Sequence, residues 1–237
     1  MTSSTDPEYI DTKLVKQGLK QLTPLFQELA DWINQEFNCQ VINIYYDKYI
    51  VARKLTPRLR IILEYNIDAD KFKDQSGCND AAKQQIIIAK FRQILAERSA
   101  KGNFLTQLFK KSALQVFDTD NITVVFPAFE QAAIEEVNEK IPKVEIERLE
   151  QELSSKNVWK VYQQFGTVTY FFYTKDQIEV YSNDGTTEEL KILFLNLLKK
   201  YDEFNYINKD NFVVRFDSKE KFDTENDGNW FNYSRNF

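Results

Sequence analysis

The apolar residues of this chain change their spacing in a fixed order, and they run through that order twice. In residues 11–37, Leu22, Leu25, Phe26, Leu29, Ile33 and Phe37 recur every three or four positions, which places them on one helix face. Thr23-Pro24 offers an N-cap and a first helical residue, so a helix is expected to restart there. The spacing then falls to two. Gln40–Tyr46 is a β-branched and aromatic run, and residues 50–53 are read as extending its pairing. In the next run Leu59, Ile61, Leu63 and Tyr65 alternate with Arg58, Arg60 and Glu64, the pattern of a strand with one wet face. A polar loop over Ile67–Asn79 leads to a helix over Asp80–Arg98, with Ile87, Phe91, Ile94 and Leu95 inward. A short helix over Phe104–Lys111, strands at Leu114–Phe117 and Ile122–Phe126, and a helix over Ala128–Ile141 complete the first cycle. Pro142 is the expected boundary.

The second cycle opens with a helix over Val144–Leu153 that carries Ile146, Leu149 and Leu153 on one face. Strands are expected at Val158–Gln164, Thr167–Thr174 and Gln177–Ser182, and their short connections predict antiparallel pairing. Thr186 and Glu189 have the spacing of a capping box, ahead of Leu190, Leu193, Phe194, Leu197, Leu198 and Tyr201. A strand over Asn211–Phe216 follows, with Trp230–Tyr233 as an edge strand. The expected fold class is therefore α+β: two similar modules, 1–142 and 143–237, each a mainly antiparallel sheet packed with helices. Tandem duplication would explain the shared order.

The chemistry on offer is narrow. The chain has no histidine, which removes the commonest general base near neutral pH and the His-activated nucleophiles. Neither GxxxxGK[ST] nor GxGxxG occurs, so no phosphate-cradling loop and no cofactor is expected. Cys39 and Cys78 lack any framework spacing and read as free thiols in a reducing compartment. No run of about 18 apolar residues predicts a membrane span, and the start Met1–Pro7 lacks the basic and apolar regions of a secretory signal. A soluble, cytoplasmic protein with no membrane partner is the expectation.

Carboxylates remain as candidates. Asp223-Thr224-Glu225-Asn226-Asp227-Gly228 opens like a calcium loop, but Ser234 stands where the closing bidentate glutamate belongs. Asp68, Asp70 and Asp74, and the pair Asp118 and Asp120, leave a metal-dependent hydrolase as the alternative. Charge is uneven: residues 48–111 carry 14 Lys/Arg against 6 Asp/Glu, and residues 202–227 carry 8 acids against 4 bases. Solvated faces explain such runs, and so does a surface that steers a charged partner. The basic stretch lacks a recognisable stacking signature and the whole chain is acidic, so nucleic acid is not the expected partner.

The second half also carries a resemblance. Its amphipathic helix precedes Trp159-Lys160-Val161-Tyr162, the aromatic strand Thr169–Tyr173, the helix Leu190–Tyr201, and the strand Phe212–Phe216 leading into Lys221-Phe222-Asp223. Over about residues 143–237 this layout resembles the YezG-like immunity proteins of bacterial polymorphic toxin systems. That resemblance implies a small non-catalytic binder that occludes a cognate toxin. The expected partner-binding residues are Asp217, Glu220, Asp223, Glu225 and Asp227, which supply negative potential toward a basic protein, and Trp230 and Tyr233, which follow as anchors.

Overall fold

The computed structural model describes residues 3–51, 53–105, 117–164 and 166–235. The chain divides into two compact units, Met1–Ala132 and Ala133–Phe237. Each is α+β, a three-stranded mixed sheet packed against helices. The first unit contains α1 (Pro7–Lys16), α2 (Pro24–Phe37), β1 (Val41–Val51), β2 (Lys54–Leu63), α3 (Asn66–Asp70), α4 (Ala81–Leu105) and β3 (Thr123–Val125). Helix α5 (Phe129–Lys140) crosses the division. The second unit continues with α6 (Lys143–Leu153), a 3-10 turn at Ser154–Lys156, β4 (Val158–Gln164), β5 (Thr167–Phe172), α7 (Lys175–Asn183), α8 (Thr186–Lys199), β6 (Val213–Ser218), α9 (Lys219–Glu225) and α10 (Trp230–Ser234). The division precedes Pro142 because Val137 and Ile141 are buried in the second core.

The two units match strand for strand. Each sheet is a hairpin with a third strand added in parallel beside the second, after a crossover that holds two helices among the described residues. The register irregularity falls at the same step, Val41/Asn43 against Leu63/Ile62 and Val158/Lys160 against Phe172/Phe171. An asparagine in the left-handed region turns the chain into each first strand, Asn38 at φ 47° and Asn157 at φ 59°. The parallel pairing also ends alike, at Leu63 beside Ala128 and Phe172 beside Ser218, and a helix starts at the next residue in both. The third strand of each sheet runs parallel to the second, which makes the sheets mixed, because helices carry the chain back to the starting end of the sheet.

One face of each sheet meets the main helices. In the first unit Leu29 and Ile33 of α2, and Ile87, Phe91 and Ile94 of α4, close on Leu59, Ile61 and Leu63. In the second, Leu149 and Leu153 of α6, and Phe194 and Leu198 of α8, close on Val168, Tyr170 and Phe172. At about 25 cal/mol per Å² of buried apolar surface, such faces are the main stabilising term.

Several local expectations are corrected. Gln177–Ser182 is helix, not strand: Gln177 Oε1 accepts from the Tyr173 and Thr174 N–H groups at 2.9 and 3.0 Å, which starts α7. Ile178 and Tyr181 then pack inward at helical spacing while Val180 is exposed. Trp230–Tyr233 is also helical, capped by Asn229 Oδ1 accepting from Phe231 N–H at 2.8 Å. Helix α8 has no Thr186–Glu189 capping box; Gly185 is its N-cap at φ 89°, and Asp184 Oδ1 accepts from Thr186 N–H at 2.9 Å. The expected restart at Pro24 does occur, with Thr23 Oγ1 accepting from Phe26 N–H at 3.5 Å. The loop read over Ile67–Asn79 includes most of α3. The elements read at Phe104–Lys111 and Leu114–Phe117 fall largely outside the described residues.

Candidate functional site

The second sheet has another face, and the segment expected to bind a partner lies across it. Alternation along β4 and β5 puts Tyr162 and Phe171 on this side, away from the main helices. Ser218 Oγ accepts from Lys221 N–H at 3.1 Å and starts α9; α10 follows after the positive-φ pair Asp227-Gly228. Together α9 and α10 deliver Phe222, Trp230 and Tyr233 onto the sheet. The Trp230 ring lies 4.5 Å from Tyr162, nearly parallel, and 4.2 Å from Phe222. Tyr233 sits 5.0 Å from Phe171 and donates its hydroxyl to Asp217 Oδ2 at 3.1 Å.

This geometry separates the seven predicted site residues into three groups. Asp217 and Tyr233 are buried and bonded to each other; Asp217 also accepts from Ser218 N–H at 2.8 Å and Lys221 Nζ at 3.2 Å. Burial raises the Tyr233 hydroxyl pKa, and the Asp217 charge beside it adds to the rise. Trp230 is half-buried and acts as cover for the sheet. The remaining acids are exposed but partly matched by lysines. Asp223 pairs with Lys219, Glu225 with Lys175 at 3.0 Å, and Glu220 accepts from Lys175 N–H at 3.0 Å. The Glu225 carboxylate raises the Lys175 pKa. Asp227 is exposed at φ 54°. The string Asp223–Gly228 thus forms the end of α9 and its exit, with Asn226 buried as C-cap, and its acids do not converge as calcium-loop ligands.

A cleft of about 550 Å³ opens beside this cover, lined by Arg215, Phe216, Asp217, Lys221, Glu225 and Tyr233 among others. It joins three predicted residues with two cations that sequence reasoning had not placed there. Of the aromatic run Trp230, Phe231 and Tyr233, read in the sequence as an edge strand or a partner anchor, only Phe231 is exposed. Phe231, between the packed Trp230 and Tyr233, is 67% exposed, with the Arg235 guanidinium 5.8 Å from its ring centroid. Its signal was helical spacing: in a helix i and i+3 share a face, so Trp230 and Tyr233 turn inward and Phe231 outward.

No protein-family model matches this chain. Searches of the curated proteins and of the solved structures return no significant match either.

The other acids take local roles. Asp68 is buried, pairs with Lys71 at 2.7 Å and accepts from Gln40 N–H at 3.2 Å. Asp70 pairs with Lys73, and Asp74 accepts from Ser76 and Cys78 N–H groups in a turn. Asp118 accepts from Asp120 N–H and faces Lys48 at 3.6 Å. Among the described residues, no three His, Cys, Asp or Glu side chains are grouped to hold a metal ion. Burial pushes the Cys39 thiol up to about 11, with Asp68 adding to it; Cys78 is exposed. Among the described residues no helix is long and apolar enough to cross a membrane.

Proposed function

We propose that this chain is a non-catalytic protein-binding protein of the immunity kind, which occupies a basic toxin domain with the α9–α10 surface of its second unit. The observation that supports this reading is Phe231: a large exposed aromatic on a short helix whose Trp230 and Tyr233 are held in an aromatic cluster. An aromatic fixed by its scaffold loses little conformational freedom on docking, as an anchor requires. Glu220, Asp223 and Asp227 are exposed on the same segment and supply the negative potential that speeds encounter with a basic surface. Trp230 and Tyr233 serve the site indirectly, by holding α10, and Asp217 by holding Tyr233.

The test looks first for a toxin gene beside the gene of this chain, whose absence counts against the reading, and pairs the full chain with the domain that such a gene encodes. Phe231→Ala is expected to leave the melting temperature unchanged and to speed dissociation about tenfold or more. The triple change Glu220→Gln, Asp223→Asn, Asp227→Asn is expected to slow association and flatten its salt dependence. If both variants bind and protect cells as the wild type does, the surface is wrong. If the wild type neither binds nor protects, the immunity reading fails.

A further inference from the structure

We propose that the cleft between β6 and α9 is a binding site for a single carboxylate carried on an apolar body, with Arg215 and Lys221 as its anion-binding groups. The site adjoins the α9–α10 surface but needs no protein toxin to be tested, so it is independent of the immunity reading. The backbone explains why the two cations meet there. Along β6, Val214 and Phe216 pack toward the main helices, which turns Arg215 and Asp217 to the other face. Asp217 stands beside Phe171 of the aromatic cluster, and Arg215 beside Thr169. On α9, Lys221 and Glu225 lie about one turn apart and so share a helix side, and both line the cleft. At about 550 Å³ the cleft falls in the size range of small organic ligands.

The charge of the lining is that of a site for one anion. Asp217 is buried, and its carboxylate accepts from Ser218 N–H, Tyr233 Oη and Lys221 Nζ, so it holds Lys221 at the cleft. Glu225 is matched by Lys175 at 3.0 Å. Arg215 and Lys221 against Asp217 therefore leave one positive charge in the lining. Phe216 and Tyr233 border the same space and offer an apolar body its contacts. The first unit shows what this architecture sets over such a cation. Arg60 opposite Tyr45 and Thr169 opposite Tyr162 are matching positions, so the arginine of this face stands on the second strand in one unit and on the third, as Arg215, in the other. Arg60 meets two carboxylates, Asp47 of its own sheet at 2.7 Å and Glu8 delivered by α1. In the second unit Asp217 is the sheet's own carboxylate, and the cleft is where a second one enters.

Other ligands fit less well. A cation would sit beside Arg215 and Lys221 with both carboxylates of the lining already matched. A phosphate monoester carries up to about two negative charges at neutral pH, more than the lining balances, and Glu225 borders the same space. The carboxylate belongs to a free acyl amino acid or to the C-terminus of a polypeptide, and its chemistry at Arg215 and Lys221 is the same in both.

The experiment titrates the full chain with N-acetylphenylalanine and N-acetylleucine, each beside its uncharged primary amide, and with inorganic phosphate. Both acids are expected to bind with a dissociation constant of about 1 mM or tighter, and about tenfold or more tighter than their amides. Backbone amide chemical shifts should move at Arg215–Asp217 and Lys221–Glu225. Arg215→Gln should weaken the acids about tenfold or more and leave the amides unchanged. Because Arg215 is exposed, this variant should melt as the wild type does. Lys219→Gln removes a cation of α9 that does not line the cleft, and it should bind the acids as the wild type does. A hexapeptide ending in phenylalanine, as free acid and as amide, separates the two sources. Free-acid peptide that binds about tenfold or more tighter than N-acetylphenylalanine assigns the site to a chain terminus, and equal binding assigns it to a small molecule. The proposal is overturned if neither acid binds at about 10 mM, if the amides bind as well as the acids, or if phosphate binds more tightly than both. It is also overturned if Arg215→Gln leaves the acids unaffected, or if the shifts move outside the cleft.

Discussion

The two units share a backbone plan but cover the second faces of their sheets with opposite chemistries. Tyr45 opposite Arg60 and Tyr162 opposite Thr169 occupy matching positions. Around Tyr45 the surroundings are polar. Its hydroxyl donates to Asp11 Oδ2 at 2.7 Å, and Asn43 Nδ2 donates to Thr12 Oγ1 at 3.3 Å and to the Tyr45 hydroxyl at 3.0 Å. Arg60 pairs with Asp47 at 2.7 Å and with Glu8 of α1. Around Tyr162 the surroundings are aromatic: Trp159, Phe171, Phe222 and Trp230. One sheet is thus covered by an N-terminal helix through buried hydrogen bonds and ion pairs, the other by C-terminal helices through ring packing. Polar covers depend on pH and salt, whereas aromatic covers depend on filled volume.

The largest expected effect is at Trp230. Trp230→Ala should destabilise the second unit by about 3 kcal/mol, through lost transfer energy and the space left between Tyr162 and Phe222. Hydrogen exchange resolved by unit should then speed in β5 and β6 and stay unchanged in β1 and β2. A loss under about 1 kcal/mol would mean that ring packing is not what holds α9 and α10.

Arg60→Met tests the polar cover. It leaves Glu8 and Asp47 without this cation in a partly buried site, at a cost of about 2 kcal/mol. Wild-type stability of the first unit should fall with added salt, and the variant should lose most of that dependence. An unchanged salt response would show that the ion pairs contribute little and that α1 is held by Tyr9 on Phe129, whose ring centroids are 5.1 Å apart.

Tyr233→Phe is the milder change, at about 1.5 kcal/mol for one hydrogen bond to a carboxylate that keeps its other donors. It also carries a pH signature. Burial raises the pKa of Tyr45, Tyr170 and Tyr233 above the ordinary tyrosine value. A raised folded-state pKa gives stability that is complete below about pH 10 and lost as pH rises through the folded value. Wild-type melting temperature should therefore fall above about pH 10, with absorbance at about 295 nm showing a late tyrosine fraction that ionises only on unfolding. Tyr233→Phe should reduce that late fraction. An unchanged titration would mean that Tyr233 is not protected.

Asp223→Asn should be the smallest effect, within about 0.5 kcal/mol, since its pair with Lys219 is exposed. A larger loss would assign Asp223 a structural role in the exit from α9.

The fold class and the longer helices α2, α4, α5, α6 and α8 were legible in the sequence because amphipathic spacing is a local property, whereas the short helices α3, α9 and α10 were not. α6 and β4 fall close to where the spacing put them. The helix α7 was misread because Ile178 and Val180 alternate over too short a window to tell the two periods apart. The cap that decides it, Gln177 folded back onto the N–H groups of residues 173 and 174, was present as a spacing and went unread. In the candidate site, the acids and aromatics were visible as composition, but their exposure was not. Tyr233 and Phe231 differ by two positions and end on opposite sides of one short helix.

The sequence by itself determined the periodic elements, their order, the repetition of that order and the uneven charge, because each is set by neighbours along the chain. Only the tertiary structure decided the parallel third strands, the matching register of the two hairpins, the burial of Tyr233 and the stacking of Trp230 over the sheet. It also decided that Asp217 bonds Tyr233, and that Lys175, distant in sequence, meets Glu225. Those facts depend on which surfaces meet across long separations, where packing and hydrogen-bond demand outweigh the local pattern.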